Sequence, residues 1–572
     1  MKRNAFLGSV IATLITATAL TVGCGGGAGP NPDPPTSGSG GPPPASMTGV
    51  LMWKGDTSGK GLYSSETTLT PANVNVNQFG RLGSFLADGL IFAQPLFIRG
   101  VDTGGGQMRD LVIIATEHDS IYALDASNMG AGSVWERHYL DANAGITPLD
   151  NNFTGRTTLG GEVGITGTPV IDATTGVMYF VTAFRRNGVP EQWLHSIDVR
   201  NGQDFGPGSV QIQASVPGDG VGSSNGQIAF NATVQNQRAG LVQVGSSILI
   251  AWGSFSDNGA YHGWLMAFDA STLQLQATFN PTPQFQANDP VSGPADHGGG
   301  GSFWQAGAPP SVDDAGNIFV VAADGSFNAD QGGNNYGDTV LKLRLSGGAF
   351  QIIDWFTPSN QACVDEADLE IGSGGVAQLP SSAGGRALLA VINKEGRLYL
   401  IDPANMGKFN AGGDQIPQQF MIGADTCTTG IGGAFAEGPS WNRLYGNVSY
   451  WNGNIYAGPS NMALRQYSFQ NGLLGTNPVA QSSSAYGLRG GNSVVSANGN
   501  QGAIVWVYEK SASGQAILHA YDANQVSTEF WNSNMNAGRD SLGTGIGFGT
   551  PVVVDGKVFV TSDKLLTMYG PQ

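Results

Sequence analysis

Charged side chains are scarce in this chain. They make up 12% of its 572 residues, whereas an ordinary globular protein has about 25%. No long stretch combines a helical spacing of apolar residues with capping residues, so we expect no major helical element. Glycine, in contrast, is abundant, with 87 residues. This composition favours an all-β protein in which tight turns join uncharged strands.

Basic residues are also few. Lysine and arginine total 26 against 43 acidic residues, which gives a formal net charge of −17. Such a surface repels polyanions, so we exclude nucleic acid as a partner. An anionic membrane face is an equally poor partner, except through a covalent lipid anchor.

Cysteine is rarer still, and the sequence contains only Cys24, Cys363 and Cys427. No Cys-x-x-Cys-His motif is present, which excludes covalent haem attachment. No two of the six histidines have the His-x-x-x-His spacing of a metal site. We therefore expect no metal centre built on these residue types.

One short pattern recurs along the chain. In its first copy, the apolar run 111–115 is followed by a polar turn at 117–119 and by a second apolar run that ends at Asp125. This order predicts a β-hairpin whose strands are buried on both faces. Related strand endings lie at Asp198, Asp269, Asp402 and Asp522, with weaker copies at 338–343, 464–468 and 565–569. These eight copies predict a radial or linear array of repeats.

Both ends of this array are incomplete. The strand predicted at 79–85 has no hairpin partner nearby, and the last unit, 549–569, offers only three strands. We expect the early strand to complete the last unit and to close a ring. Closure of this kind removes the exposed sheet edges that promote aggregation.

The first 48 residues have a different character. Lys2 and Arg3 precede an apolar stretch at 5–21, and residues 20–24, Leu-Thr-Val-Gly-Cys, resemble the lipobox of bacterial lipoproteins. We predict a signal peptide at 1–23, a lipidated Cys24, a Gly/Pro/Ser-rich tether at 24–48, and a folded body at 49–572. The alternatives are an ordinary signal peptide and an uncleaved membrane anchor.

With Cys24 lipidated, two cysteines remain in an exported protein. We expect Cys363 and Cys427 to form a disulfide between loops of neighbouring units. Two buried free thiols are the alternative.

Several motifs together resemble the repeats of pyrroloquinoline-quinone (PQQ)-type β-propellers. They are the unit openings at 93–95, 164–169 and 549–551, the ending at 122–125, and the Gly-Ser-Val-Trp that closes at Trp135. The resemblance implies an all-β, eight-bladed propeller with four-stranded antiparallel blades, and seven blades are the alternative. It extends to a group of bacterial envelope proteins through segments such as 69–75, 236–238 and 257–264. It implies architecture and compartment but no reaction.

Candidate ligand-binding residues lie in the predicted strand connections. They are His118, Glu162, Asp257, His262, His297 and Trp304. If the first and third units turn the same way, His118, Asp257 and His262 would converge at one end of the ring. We interpret Asp338 as a turn acceptor and the acidic run 365–370 as a solvated loop. The alternatives are a cofactor ligand for Asp338 and calcium binding for either 365–370 or 328–338.

Two classes of function remain. The first is a binding or scaffold module of the bacterial cell envelope, lipid-anchored in the periplasm or at the cell surface, with a protein or carbohydrate ligand at a propeller face. The second is a secreted enzyme, either a PQQ- and calcium-dependent dehydrogenase or a polysaccharide lyase or hydrolase. The resemblance to PQQ propellers makes PQQ and calcium the cofactors to consider. The resemblance implies that quinoprotein dehydrogenases hold PQQ over calcium with carboxylate and amide side chains, a stacked tryptophan and, in many, a disulfide between adjacent cysteines. Adjacent cysteines are absent here, so we expect no cofactor. We favour the first class because no single turn carries a dense acid/base or metal constellation.

Overall fold

The repeats form eight small antiparallel sheets, the blades of a β-propeller. The computed structural model describes residues 46–150, 161–287, 298–381, 385–423, 427 and 443–572. These residues belong to one compact unit, Ser46–Gln572. The predicted all-β class and the count of eight blades are confirmed, and the alternative of seven blades is wrong. The predicted signal peptide, Cys24 and most of the tether lie outside the described residues.

Each of the first four blades has four strands in chain order. In blade 1 they are Leu96–Asp102, Met108–Ala115, Ser120–Asp125 and Ser133–His138. In blade 2 they are Val170–Ile171, Val177–Arg186, Val189–Asp198 and Asp204–Gln211. In blade 3 they are Val242–Val244, Ser247–Ser254, Trp264–Asp269 and Leu275–Phe279. In blade 4 they are Ser311–Val312, Asn317–Ala322, Thr339–Ser346 and Ala349–Phe356.

The other four blades follow the same plan. In blade 5 the strands are Val376–Leu379, Leu388–Ile392, Arg397–Ile401 and Gln418–Met421. In blade 6 they are Ser449–Trp451, Asn454–Ala457, Ala463–Gln470 and Ala480–Ala485. In blade 7 they are Gly491–Asn498, Gln501–Lys510, Ala516–Asp522 and Glu529–Asn532. Blade 8 consists of Val552–Val554, Lys557–Ser562, Leu565–Pro571 and, from the other end of the chain, Phe79–Leu86.

Short elements extend or connect the blades. The additional strands are Gly49–Val50, Leu62–Tyr63, Ile146–Asp150, Glu162–Val163, Ser215–Pro217, Gln227–Ala229, Gln235–Asn236 and Leu473–Leu474. The α-helices are Gln361–Glu366 and Ala537–Asp540, and the 3₁₀ turns are Trp53–Gly55, Met129–Ala131, Ala142–Ala144, Gln305–Gly307, Ala329–Gln331 and Ile371–Ser373. None of the helices in the described ranges is long and apolar enough to cross a membrane.

Burial distinguishes the inner from the outer strands. The first strands Val170–Ile171 and Val552–Val554 are wholly buried, whereas the last strand Ala349–Phe356 alternates between exposed and half-buried residues along most of its length. Since a strand buried on both faces has neighbours on both sides, the first strands lie towards the ring axis and the last strands at the rim.

The ring closes as the sequence predicts. Phe79–Leu86 pairs antiparallel with Leu565–Pro571, in a register that joins Phe79 to Pro571 and Leu86 to Leu565. Phe79 is fully buried and contacts Trp531 at a ring separation of 5.0 Å. The closure therefore combines main-chain hydrogen bonds with an aromatic core.

The disulfide between Cys363 and Cys427 is confirmed. Cys363 lies in the helix Gln361–Glu366, which connects blades 4 and 5, and Cys427 follows the last strand of blade 5. The bond thus holds a connection between neighbouring blades in place.

Residues 46–66 follow a path that nothing in the sequence patterns predicts. We call this segment the inner strap. Gly49–Val50 pairs with the first strand of blade 1, and Leu62–Tyr63 runs parallel to the first strand of blade 7. Between them, strap carbonyl groups accept hydrogen bonds from the first strands of four more blades, donated by Ile171, Val312, Gln378 and Tyr450. The strap therefore passes from blade to blade around the inner wall of the ring.

Candidate functional site

Two sets of loops meet at one end of the propeller. Because the strands within a blade are antiparallel, the loop before the first strand and the loop between the second and third strands lie at the same end. We call this end the mouth. A cavity of about 280 Å³ opens there, and its walls come from blades 1, 3, 4, 5, 6, 7 and 8. This volume suits one small molecule.

The mouth cavity collects positive charge. Four cations line it: Arg238, Lys394, Arg489 and Lys510. Burial lowers the pKa of Arg238 to about 10, partly offset by Glu117, so its guanidinium still carries a proton at neutral pH. Burial also disfavours the charged form of Lys394, but Asp368 and Glu370 outweigh it and hold the Lys394 pKa well above its ordinary value. The chain as a whole has a net charge of −17, so this group of cations makes the cavity locally positive in an otherwise acidic protein.

The carboxyl groups of the cavity are Asp257, Asp324 and Glu370. Burial raises the pKa of Glu370 to about 8 and holds the pKa of Asp324 well above its ordinary value. Burial therefore favours the protonated form of Asp324, which can act as a hydrogen-bond donor. The negative charge that remains at the cavity wall is smaller than the number of carboxyl groups suggests.

Behind this wall, the carboxyl groups form two clusters that share Asp324. Oxygen atoms of Asp324, Asp368 and Glu370 lie within 4.8 Å of one another, as do those of Asp324, Asp338 and Asp365. Asp365 and Glu370 are 0% and 2% exposed, so the prediction of a solvated loop at 365–370 is wrong. Asp338 lies in a turn and accepts a hydrogen bond from the Ile371 N–H. It is fully buried, and burial raises its pKa to about 7.

Aromatic rings form the remaining wall of the mouth cavity. The ring of Phe548 lies 5.9 Å from that of Trp304 and 5.9 Å from that of Tyr445. The Arg489 guanidinium lies 5.4 Å from the centre of the Tyr445 ring. Trp304 Nε1 donates to Glu370 Oε1 at 3.2 Å, which fixes the plane of the indole. Flat apolar faces thus lie beside the cations, an arrangement that suits a planar ring carrying negative charge.

Three residues that line the mouth cavity have left-handed backbone conformations. Ser256, Asp257 and Phe548 adopt φ values of 56°, 55° and 66°, in the left-handed region. For an aromatic residue such as Phe548 this conformation is costly, of the order of 1 kcal/mol or more. Such strain persists where the surrounding contacts hold a side chain in a particular place, and here the side chains concerned line the cavity.

The candidate ligand-binding residues predicted from the sequence lie in different parts of the structure. Asp257 and Trp304 lie on the wall of the mouth cavity. His118 Nδ1 instead lies within hydrogen-bonding distance of Glu162 Oε2, at 2.7 Å. His262 is buried, with Nε2 2.8 Å from the Val221 carbonyl oxygen. The proposed convergence of His118, Asp257 and His262 is therefore wrong, and His297 lies outside the described residues.

His262 contributes to a different cavity. It lines a cleft of about 480 Å³ beside the hairpin Ser215–Pro217 and Gln227–Ala229, together with Gln192, Gln235 and Trp264. Gln192 and Gln235 hydrogen-bond to other protein groups, and Trp264 is 1% exposed. This cleft is larger, but the described residues place no cluster of charged groups in it.

Sequence reasoning missed most of the mouth cavity. Lys394, Arg489, Lys510, Asp324, Tyr445 and Phe548 each stand alone in a loop without a recognisable motif, and Glu370 lies in the acidic run interpreted as a solvated loop. The signal that could have found these residues is their position in the repeat. Each lies shortly before the first strand of a blade or at the connection between its second and third strands. Arg238 falls within 236–238, one of the segments that carries the resemblance to envelope proteins.

No protein-family model matches the chain, and no curated protein sequence matches it. Solved structures do match. Quinohemoprotein alcohol dehydrogenase ADHIIG from Pseudomonas putida HK5 aligns with a TM-score of 0.60 at 14% identity, over 91% of this chain and 80% of that one. The likeness is one of fold.

Two further structures agree with this result. Quinohemoprotein alcohol dehydrogenase from Comamonas testosteroni aligns with a TM-score of 0.55 at 13% identity, over 91% of this chain and 80% of that one. A europium-containing methanol dehydrogenase aligns with a TM-score of 0.55 at 13% identity, over 91% of this chain and 98% of that one. At these identities the comparisons establish the propeller fold of this chain and leave its activity open.

Proposed function

We propose that this propeller is a binding module of the bacterial cell envelope whose mouth cavity holds a small, planar, anionic ligand. The observation that carries the proposal is the grouping of Arg238, Lys394, Arg489 and Lys510 in one cavity of an acidic protein. Charge-assisted hydrogen bonds from such groups are the strong ones in ligand recognition. The aromatic wall of Trp304, Tyr445 and Phe548 supports a flat ligand.

The envelope location rests on the sequence. The basic residues at 2–3, the apolar stretch that follows and the lipobox-like ending at Cys24 support export and lipidation. In this proposal the membrane is a partner only through the lipid, and the tether leaves the propeller free to meet soluble ligands.

The test uses defined planar anions. Benzene-1,3,5-tricarboxylate, pyridine-2,6-dicarboxylate and PQQ would be titrated into the protein by calorimetry, with citrate as a non-planar tricarboxylate. We expect at least one planar anion to bind more tightly than citrate. The variant Arg489→Met should weaken that binding about tenfold, because a charge-assisted hydrogen bond contributes about 1.5–3 kcal/mol.

Arg386 provides the matched control. It is exposed and pairs with Asp402 at 3.3 Å, outside the mouth cavity. Arg386→Met should leave the affinity unchanged. Should none of the planar anions bind, or should the Arg386 and Arg489 variants bind equally well, the proposal fails. If Arg489→Met does not fold, Lys510→Met takes its place in the same comparison with Arg386→Met.

A second candidate function is PQQ- and calcium-dependent oxidation. The observation in its favour is that Asn236, Asp257, Asp324 and Glu370 line one cavity with Trp304. This is the type of carboxylate, amide and tryptophan set that the resemblance implies for the cofactor and its metal. The residues present therefore fit the group, although the disulfide joins Cys363 to Cys427 and not adjacent cysteines.

In this second candidate, the bound quinone supplies the oxidant for an alcohol. The mouth cations would hold its carboxylates, and Asp257 would accept the proton of the substrate hydroxyl. Protein mixed with PQQ and calcium should then reduce a dye when alcohols or sugars are added. If PQQ binds without dye reduction, the binding role alone is supported. We do not propose a polysaccharide-acting enzyme, because a cavity of about 280 Å³ accommodates one small ring system.

A further inference from the structure

Lys54 occupies an unusual position inside the propeller. It lies in the inner strap, is 0% exposed, and its backbone N–H donates to Gln94 Oε1 at 2.8 Å. Gln94 immediately precedes the first strand of blade 1, so Lys54 is held against the inner wall of the ring. Lysine is almost never fully buried unless it is paired.

The ammonium group of Lys54 has no hydrogen-bond partner within the described part of the chain. Nζ lies over the ring of Trp53, 4.8 Å from the ring centre. A cation–π contact compensates for only part of the cost of removing an ammonium group from water. When Lys54 is protonated, its buried charge therefore requires a further counterpart.

Asp56 does not supply this counterpart by direct contact. Its carboxylate oxygens bind Lys60 Nζ at 2.6 Å and the Ser58 hydroxyl group at 2.6 Å. Its charge favours the ammonium form of Lys54, but burial dominates and lowers the Lys54 pKa to about 7. Two lysines and one carboxylate thus occupy this part of the strap, which leaves an excess of one positive charge when Lys54 is protonated.

The strap is shaped around the Lys54 side chain. Lys54 itself has a φ of 52°, a left-handed conformation that a lysine adopts only under constraint. Gly61 lies opposite, and a Cβ atom there would lie 3.0 Å from Lys54 Cδ and 3.3 Å from Nζ. The backbone strain and the glycine both serve to direct the ammonium group into the interior, which a surface lysine would not need.

We propose that the inner strap of the propeller holds a small monovalent anion, of the halide class, on the ammonium group of Lys54. A water molecule would provide a hydrogen bond but would leave the charge uncompensated, whereas an anion provides both. The site is separate from the mouth cavity, since Lys54 is not among the residues that line it. Its role is to fix the strap against the ring.

The first test is the dependence of thermal stability on chloride. At pH 6, replacing sodium gluconate by sodium chloride at a constant 0.5 M should raise Tm by about 1–3 °C through binding to the folded state. Lys54→Met retains the length of the side chain without the charge and should abolish the rise. Lys342→Met is the control, because Lys342 Nζ already binds the Pro403 carbonyl oxygen at 2.8 Å. Its Tm should still rise with chloride.

The second test locates the ion directly. Crystals of the wild-type protein grown in sodium bromide should give an anomalous peak at about 3.2–3.5 Å from Lys54 Nζ. This measurement decides the question even if Lys54→Met does not fold. An equal chloride response in wild type and Lys54→Met, or the lack of a bromide peak at Nζ, overturns the proposal.

Discussion

The Nζ atom of Lys394 lies 2.7 Å from Oε2 of Glu370, and both residues belong to the mouth loops of blade 5. Lys394 also binds Asp368, which Arg443 approaches at 3.4 Å. This ion-pair network fixes the base of the mouth cavity, since Glu370 in turn receives the Trp304 Nε1 hydrogen bond.

We expect Lys394→Met to destabilise the protein by about 3 kcal/mol. Removing one partner of a buried ion pair costs about 3–5 kcal/mol, and the lower end applies because Asp368 keeps Arg443 as a second partner. Urea denaturation would measure the change. Lys408→Met is the matched control, since Lys408 pairs with Asp354 but is 50% exposed. Its effect should be below about 1 kcal/mol, and an equal loss in both variants would contradict the role given to Lys394.

Glu117 should make stability depend on pH. It is 1% exposed, and burial raises its pKa from 4.5 to about 7, although the Gly164 N–H and Thr166 hydroxyl group donate to its Oε2. Between these two values the folded protein holds a proton that the unfolded chain has lost. Stability should therefore fall as pH rises from 4.5 to 7, by about 3 kcal/mol from this group alone.

Glu117→Gln does not titrate, so its stability relative to wild type should increase over the same pH range. Urea denaturation of both proteins at pH 5 and pH 8 measures this difference. Glu136→Gln, at a side chain 49% exposed, should change little with pH. A constant difference between Glu117→Gln and wild type at both pH values would show that Glu117 titrates normally.

The disulfide should contribute measurably to stability. Replacing Cys363 and Cys427 together by serine should cost about 2–4 kcal/mol, because the unfolded chain gains freedom over a separation of 64 residues. Differential scanning calorimetry with and without a phosphine reductant checks this prediction. Reduction should lower the Tm of the wild type towards that of the double variant and leave the variant unchanged.

Ring closure should depend strongly on Phe79. This side chain is 0% exposed and contacts Trp506, Trp531 and Tyr569. Phe79→Ala should cost about 3–5 kcal/mol, because it opens a cavity between the strand from the N-terminal region and the last two blades. Phe285→Ala, at a residue 55% exposed, should cost less than about 0.5 kcal/mol. Similar denaturation midpoints for the two variants would contradict this account.

The fold was largely predictable because its signals are local. Each third strand carries its own apolar run, as at Ser120–Asp125 and Ala516–Asp522, and the unpaired strand at Phe79–Leu86 matched the incomplete last blade. The mouth cavity was not predictable, because Arg238, Lys394 and Lys510 are single residues whose proximity depends on the curvature of the whole ring. The acidic run 365–370 looked solvated, since burial of carboxyl groups depends on Lys394 and Arg443, which are distant in sequence.

The pairing of Phe79–Leu86 with Leu565–Pro571 also constrains the order of folding. The ribosome synthesises Phe79–Leu86 long before Leu565–Pro571, so the early strand has no partner until the last strand of blade 8 has been made. The inner strap likewise lacks some of its hydrogen-bond partners until the first strands of blades 4 to 7 have been synthesised. Completion of the propeller is therefore a late event in biosynthesis, and the nascent chain needs protection from aggregation until then.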